Sequence, residues 1–366
     1  MKIGIIGTRG IPNHYGGFEQ FAEFVAVKWV EMGHEVVVYN SHNHPYQESA
    51  YKGVTIQHCF DPEYKIGTPG QFIYDLNCIL NARKQKFDIL LQLGYTSSSI
   101  WSFLMPKSAK VVTNMDGLEW KRTKFKPIVQ RFLRKAEACG VRYSDALIAD
   151  STGIQEYLQK EYNASSTFIA YGAEVYYPVP SDVLSNYQIE KNAYYLLIAR
   201  LEPENNIEVI LDGYVKSNST LPFLVIGNHN TAFGNYLKQK FEAVKSIRFL
   251  GGVYDLQKLN QLRAYCKYYF HGHTVGGTNP SLLEAMGCGT MICAHRNNFN
   301  QSVLLENASY FSSSDDIKDL LAYDYTDALA TERKNNNMER IRKDYNWPFI
   351  AQEYLNLFEK VLKEKK

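Results

Sequence analysis

Gly276-Gly277-Thr278-Asn279-Pro280-Ser281-Leu282-Leu283-Glu284-Ala285-Met286 reads as a small-residue loop that runs into an apolar helix. Proline suits the first helical position, because its missing N–H has no partner there in any case. Free backbone N–H groups and the helix dipole make such a start a seat for phosphate or diphosphate. A carboxylate at Glu284 would repel phosphate, so its chemistry points instead to sugar hydroxyls. Diphosphate together with hydroxyls describes a nucleotide-sugar; an ordinary loop–helix junction is the alternative reading.

A strand is predicted just before this loop, over 268–271, and another after the helix, over 290–294. The same alternation extends upstream. Strands are predicted over 194–199, 221–226 and 246–250, with helices over 206–217, 232–245, 256–266 and 281–287. The N-terminal half opens with a buried strand over 2–6, a glycine-rich loop, and a helix over 18–32. That helix places Phe18, Phe21, Ala22, Val25 and Trp29 on one face, and Gly33 ends it. Further strands are predicted over 35–39, 54–57, 87–93, 110–113, 146–149 and 167–170. Alternating strand and helix implies parallel, doubly wound sheets. Pro178 and Pro180 mark a hinge between residues 1–178 and 179–346, and an amphipathic helix over 347–362 is expected to pack back on the first half. The segment 312–316 reads as a polar turn. Ligands bind beyond the carboxyl ends of such sheets, so the expected architecture is α/β, with two Rossmann-like domains facing across a cleft.

A chain of 366 residues fits two domains. With 45% hydrophobic and 21% charged residues it has globular composition, and a net charge of +2 excludes a general polyanion binder. The six cysteines have no paired spacing, which argues against a zinc site. There is no apolar run of membrane-spanning length and no signal-peptide pattern, so a cytoplasmic location is expected. No metal motif is present.

Four further segments carry candidate chemistry. In the first loop, Gly4, Gly7 and Gly10 superficially resemble a dinucleotide fingerprint. The second strand, however, ends at Asn40 without the carboxylate a dehydrogenase uses on ribose. Gly16 and Gly17 form the helix entry, suited either to close approach of a diphosphate or simply to a tight turn. The second segment is Arg200-Leu201-Glu202-Pro203-Glu204-Asn205-Asn206, after a strand. Arg200 can grip a diphosphate with Glu204 orienting it and Asn205 or Asn206 capping the next helix; a surface Arg–Glu pair is the alternative. The third is Asp116, Glu119 and Trp120, which suits acceptor hydroxyls, a sugar face or proton transfer; Asp116-Gly117 also makes a common turn. The fourth holds Lys121, Arg122, Lys124, Lys126, Arg131, Arg134 and Lys135 around a stripe of Ile128, Val129, Phe132, Leu133 and Ala136. A basic amphipathic helix suits an anionic membrane surface, a core-packed stripe being the alternative. No nucleic-acid motif accompanies the charges. His271 and His273 lack a third ligand for a metal; one of them is a candidate contact to a donor phosphate or sugar.

Taken together, these segments resemble a family 4 retaining glycosyltransferase of the GT-B fold over nearly the whole chain. Gly7-Thr8-Arg9-Gly10-Ile11-Pro12 and Tyr15-Gly16-Gly17-Phe18-Glu19 resemble a subgroup of bacterial cell-wall and capsular rhamnosyltransferases. The resemblance departs at two positions: Gly276 stands where the family has a first glutamate, and Asn205 where it has a lysine. It implies a donor site of Arg9, Gly16, Gly17, Arg200, Asn205, Val253, Tyr254, His273, residues 276–281 and Glu284, the last on ribose. It further implies metal-free transfer with no cofactor, with Arg200, Glu284 and Asp116 as catalytic residues. The implied donor is dTDP-rhamnose, with a UDP- or GDP-sugar as the alternative. The implied acceptor is a lipid diphosphate-linked saccharide at the inner face of the plasma membrane. An NAD-dependent epimerase or dehydrogenase and a catalytically dead binding protein are the readings from other classes.

Overall fold

The computed structural model describes residues 1–364 other than Asp116, 122–124, Ser181, 275–276 and 324–325. The chain forms two compact units, Met1–Tyr171 with Trp347–Lys366, and Gly172–Asn346. The sequence reading placed the division at Pro178 and Pro180. Residues 172–178 are instead tied to the second unit: the Ala173 N–H donates to the Tyr345 carbonyl (2.7 Å), and the Tyr176 N–H to the Gly287 carbonyl (2.9 Å).

The first unit holds β1 (Lys2–Ile6), β2 (Glu35–Ser41), β3 (Ala50–Tyr51), β4 (Val54–Cys59), β5 (Ile89–Leu93), β6 (Lys110–Asn114), β7 (Ala146–Ala149) and β8 (Thr167–Phe168). They form one sheet in the order β3-β4-β2-β1-β5-β6-β7-β8. Pairing is parallel except for the short β3, which is antiparallel to β4. Ile3, Ile5, Val38, Leu90 and Val112 are fully buried, as strands covered on both faces require. The helix Gly17–Glu31 lays Phe21, Ala22, Val25 and Trp29 inward, the stripe read from the sequence. The C-terminal helix Trp347–Lys363 packs on it. Trp29 Nε1 donates to the Ala351 carbonyl (2.9 Å), and the rings of Phe24 and Trp347 stack 4.7 Å apart.

The second unit holds β9 (Tyr195–Ile198), β10 (Phe223–Ile226), β11 (Ile247–Gly251), β12 (Tyr268–His271), β13 (Ile292–His295) and β14 (Ser309–Phe311). The order is β11-β10-β9-β12-β13-β14, with parallel pairing throughout. Its core gathers Tyr195, Leu197, Tyr214, Phe223, Phe270 and Phe311.

The polar turn read at 312–316 is a helix start. The Ser313 hydroxyl accepts the Asp316 N–H, and the Asp316 carboxylate accepts the Ser313 N–H, closing a capping box that opens the helix Ser314–Ala322. The helix Asp327–Asp344 is so polar that its period gave no signal.

Candidate functional site

In the second unit, chain order runs β9, β10, β11 to one side and then restarts at β12 on the other. The reversal between β9 and β12 is a topological switch point, where α/β sheets bind ligands beyond their carboxyl ends. Arg200 follows β9 and His271 ends β12, so both stand at that point. Arg200 is exposed, and its guanidinium has no hydrogen-bond or ionic partner among the described residues. Its carbonyl accepts from Asn205 Nδ2 (2.7 Å) and from the Glu202 N–H (2.8 Å).

Asn205 is therefore buried with its amide turned to the Arg200 backbone, which shapes the turn instead of facing a ligand. Neither asparagine caps the next helix through its side chain. Asn206 occupies the cap position with φ 49° and sends Nδ2 to the Gly272 carbonyl (2.7 Å). A Cβ at Gly272 would lie 2.0 Å from the Asn205 carbonyl oxygen. The two asparagines and Gly272 thus lock the Arg200 turn against the loop after β12. The Glu204 carbonyl adds to the lock, accepting the Thr274 N–H (3.2 Å) and Oγ1 (2.8 Å).

His271 is fully buried, and neither of its ring nitrogens has a hydrogen-bond partner among the described residues. Burial, with His273 stacked 4.4 Å away, holds it well below the usual imidazole range, so the ring is neutral. It keeps one donor and one acceptor. The His273 carbonyl is held by Asn297 Nδ2 (3.0 Å) and Asn300 Nδ2 (3.2 Å).

The helix Pro280–Gly287 begins where the sequence places it, but its first turn is already satisfied. Asn279 Oδ1 accepts the Ser281 N–H (3.0 Å), and the Asn279 carbonyl accepts from Leu282 and Leu283. The expected free N–H groups of Ser281 and its successors are corrected accordingly; a diphosphate seat here would use the preceding loop at Gly277, Thr278 and Asn279. Gly276 lies outside the described residues.

Glu284 meets a partner the sequence did not suggest. Arg263 is 1% exposed and pairs with the Glu284 carboxylate at 2.5 Å. Its other contacts are Asn260 Oδ1 (2.8 Å) and Ser281 Oγ (3.2 Å), and the latter hydroxyl is 2.6 Å from the Tyr269 phenol. Burial alone would lower the Arg263 guanidinium; the Glu284 carboxylate overrides it and keeps the charge. Arg263 lies in the helix Leu256–Tyr265, where its spacing gave no sign of a site and where Gln261 is buried as well. Val253 and Tyr254 follow β11 in the same unit, and Tyr254 is exposed.

In the first unit the order reverses between β1 and β5. Arg9 follows β1. Its guanidinium meets Glu63 through Nε (3.0 Å) and a terminal nitrogen (2.8 Å), and lies 3.8 Å above the Tyr15 ring. Arg9 is thus bound within its own unit, where the sequence reading set it on the donor diphosphate. The helix entry at Gly16 and Gly17 also holds an anion already. Glu19 is buried, accepts the Arg9 N–H (2.8 Å), and lies 3.3 Å from where a Cβ of Gly16 would stand. A carboxylate at that N-terminus opposes a phosphate there. Asn40 is buried and clamps the loop, accepting the Ile11 N–H (3.0 Å) and donating to the Ile11 carbonyl (2.8 Å).

The sequence reading missed Asp75. It is buried beside this loop and accepts the Ser97 hydroxyl at 2.5 Å. Burial pushes its carboxyl up to about 7, against the opposite pull of Ser97 and Arg9. It lies mid-helix in Pro69–Ala82, where no spacing marked it. Asp116 lies outside the described residues. Glu119 and Trp120 follow β6, one strand beyond the switch point, and the Trp120 ring is covered by Arg134 (5.1 Å) and Lys121 (5.4 Å).

Of the basic segment, Arg122 and Lys124 lie outside the described residues, and the helix Pro127–Tyr143 follows. Leu133 and Ala136 are buried, whereas Ile128, Val129 and Phe132 are exposed, so the stripe is only half absorbed by the core. Its one acid, Glu137, is buried and accepts the hydroxyls of Tyr95 (2.9 Å), Tyr157 (2.6 Å) and Tyr162 (2.6 Å). Among the described residues, no group of three or more His, Cys, Asp or Glu is placed to hold a metal ion, and no helix is long and apolar enough to cross a membrane.

Residues 185–344 match the family model described as glycosyl transferases group 1, and residues 1–174 match that described as Domain of unknown function (DUF1972). None of the curated proteins matches the chain. Among solved structures, sucrose-phosphate synthase from Thermosynechococcus elongatus is similar with a TM-score of 0.78 at 16% identity, over 98% of each chain. Anabaena HepE in complex with UDP and glucose is similar with a TM-score of 0.75 at 16% identity, over 98% of this chain and 99% of that one. A glycosyltransferase from Rickettsia africae gives 0.74 at 13% identity, over 100% and 99%. The chain therefore has two Rossmann-like units of the GT-B type, the second of them the part that the glycosyl transferases group 1 model matches.

Proposed function

We propose that this GT-B chain is a metal-independent retaining glycosyltransferase that moves a hexose from a nucleoside diphosphate to a saccharide acceptor. The observation that carries the reading is Arg200 at the β9/β12 switch point, exposed and unpaired beside the buried neutral His271. A guanidinium there neutralises the leaving diphosphate, and such preorganised charge is commonly the largest catalytic contribution. Glu284, fixed by Arg263, accepts the ribose hydroxyls; Gly277, Thr278, Asn279 and His273 flank the diphosphate, and Val253 and Tyr254 the base. The acceptor hydroxyl attacks from the face that the diphosphate leaves, and the departing phosphate takes its proton. Asp116, Glu119 and Trp120 are the acceptor contacts the resemblance implies. Ser97 with Asp75 adds a polar pair at the switch point of the first sheet.

Two donor readings are kept, each on its own observation. Anabaena HepE was solved with UDP-glucose as well as with UDP and glucose, which favours a UDP-sugar. The loop at residues 7–19 resembles rhamnosyltransferases, which favours dTDP-rhamnose. The acceptor is a lipid diphosphate-linked saccharide, reached from the cytoplasmic face of the membrane through the basic helix.

A thermal-shift panel with UDP-glucose, UDP-N-acetylglucosamine, dTDP-rhamnose, GDP-mannose and NAD tests the reading. A ligand at about 100 times its Kd stabilises by roughly 2.7 kcal/mol. Stabilisation by one nucleotide-sugar, lost in Arg200→Ala, is expected and selects the donor. Stabilisation by NAD alone would overturn the proposal.

A further inference from the structure

The first unit carries an apolar surface assembled from three elements that are remote in sequence. The helix Pro127–Tyr143 leaves Ile128 76% and Phe132 38% exposed, Phe103 is 65% exposed, and Ile73 is 40% exposed. Phe132 and Phe103 belong to one connected group, and Ile128 lies one turn before Phe132 on the same helix face. The Phe132 ring meets Phe72 at 5.6 Å, Trp101 Nε1 donates to the Phe72 carbonyl at 2.9 Å, and the Trp101 ring lies 6.4 Å from Phe103. Isolated exposed apolar residues are ordinary, but a connected group of this kind marks an interaction surface.

The exposed charge of the three segments that build the patch has one sign. Lys107, Lys126, Arg131 and Lys135 are exposed, with no acidic partner among the described residues. The only acids in residues 69–82, 99–108 and 125–143 are Asp75 and Glu137. Both are buried, Asp75 against Ser97 and Glu137 under three tyrosine hydroxyls. The fold has turned every negative group of these segments inward. An apolar centre whose own segments expose only cations complements an anionic lipid surface, where apolar chains enter the acyl boundary and ammonium and guanidinium groups stay at the headgroups.

We infer that this face docks on an anionic bilayer by inserting Ile128, Phe132 and Phe103, with Lys126, Arg131 and Lys135 at the headgroups. The inference rests on the peripheral-membrane reading above and adds to it the inserted side chains. Adsorption by charge alone is fully reversed by salt, because the Debye length falls to about 3 Å at 1 M. Insertion leaves a salt-resistant fraction.

The test is flotation of the full chain with vesicles of phosphatidylglycerol and phosphatidylcholine, against pure phosphatidylcholine vesicles, at 0.1 M and 1 M salt. The Phe103→Ser/Ile128→Ser double variant and a Lys126→Glu/Arg131→Glu/Lys135→Glu variant run alongside. Wild type is expected to float with anionic vesicles only and to keep part of its binding at 1 M salt. Serine at both positions is expected to lower partitioning at least tenfold, since each loses a side chain's worth of apolar burial. Phe103→Trp gives a second readout, with fluorescence quenched by brominated lipid beyond the wild-type background. Binding by wild type that the serine variant retains in full, without quenching of Phe103→Trp, would overturn insertion and leave electrostatic adsorption standing. Absence of binding to any vesicle would overturn both readings. A wild-type dimer in sedimentation velocity that the serine variant dissolves would assign the face to a second copy of the chain and overturn the inference.

Discussion

Glu284 and Arg263 show how one pair fixes the energetics of a site. Arg263 has no access to water, while the Glu284 side chain is 14% exposed. Removing the carboxylate strands a buried cation, whereas removing the cation leaves a carboxylate with some solvent. Glu284→Ala is therefore expected to cost about 3 kcal/mol or more, and Arg263→Met clearly less, read as the difference in urea midpoints. Both are expected to raise the KM for donor, because each loosens the group assigned to ribose. Asp75 makes a pH prediction. Burial raises its folded-state pKa to about 7, well above the ordinary carboxyl range. The protonated form is favoured by folding, so this contribution is present at acid pH and lost as pH rises through about 7. Asp75→Asn is expected to flatten the fall in stability between about pH 4 and pH 7; an unchanged slope in urea titrations would refute the assignment. Arg200, Glu284 and the loop after Gly276 were legible in the sequence because their chemistry is local. Asp75 and Arg263 were not, because each acquires its role from burial against residues far along the chain; His271 was named in the sequence, but its burial was not.

Elements set how those residues are aimed. Gly272 joins β12 to the site loop, and a methyl group there would meet the Asn205 carbonyl oxygen at 2.0 Å. Gly272→Ala is expected to push the loop from the Arg200 turn, costing on the order of 1–3 kcal/mol and weakening donor binding about tenfold, as isothermal titration would show. On the first sheet, Asn40→Asp keeps an acceptor for the Ile11 N–H but faces a second oxygen toward the Ile11 carbonyl. Its expected cost is about 1–3 kcal/mol in the folded state, measured by thermal unfolding. The sequence identified Asn40 by what it lacks, a carboxylate for ribose; the structure adds its use as a clamp. The central strands were readable because continuous apolar runs of Val, Ile and Leu are what a sheet covered on both faces demands. The helix Asp327–Asp344 was not, because its residues are polar on nearly every face.

At the scale of the molecule, the chain leaves the first unit at Tyr171 and re-enters it at Trp347. The returning helix supplies the Trp347, Tyr354 and Phe358 rings that meet Phe24, Phe21 and Trp29. Deleting residues 347–366 is expected to expose that face and to remove hydrogen-exchange protection from the helix Gly17–Glu31, while the strands of the second unit stay protected. Equal loss in both units would refute the assignment of this helix to the first.

By itself the sequence determined the class of fold, the alternation of strand and helix, the Arg200 turn, the loop and helix at residues 276–286, and the basic character of the helix after Pro127. These are matters of period, composition and local chemistry. Only the tertiary structure decided that Arg9 meets Glu63, that Glu19 fills the first helix entry, that Asn205 holds a backbone carbonyl, and that Phe132 meets Phe72. Those pairings join residues up to tens of positions apart, and their partners are chosen by sheet order and packing, which no local pattern encodes.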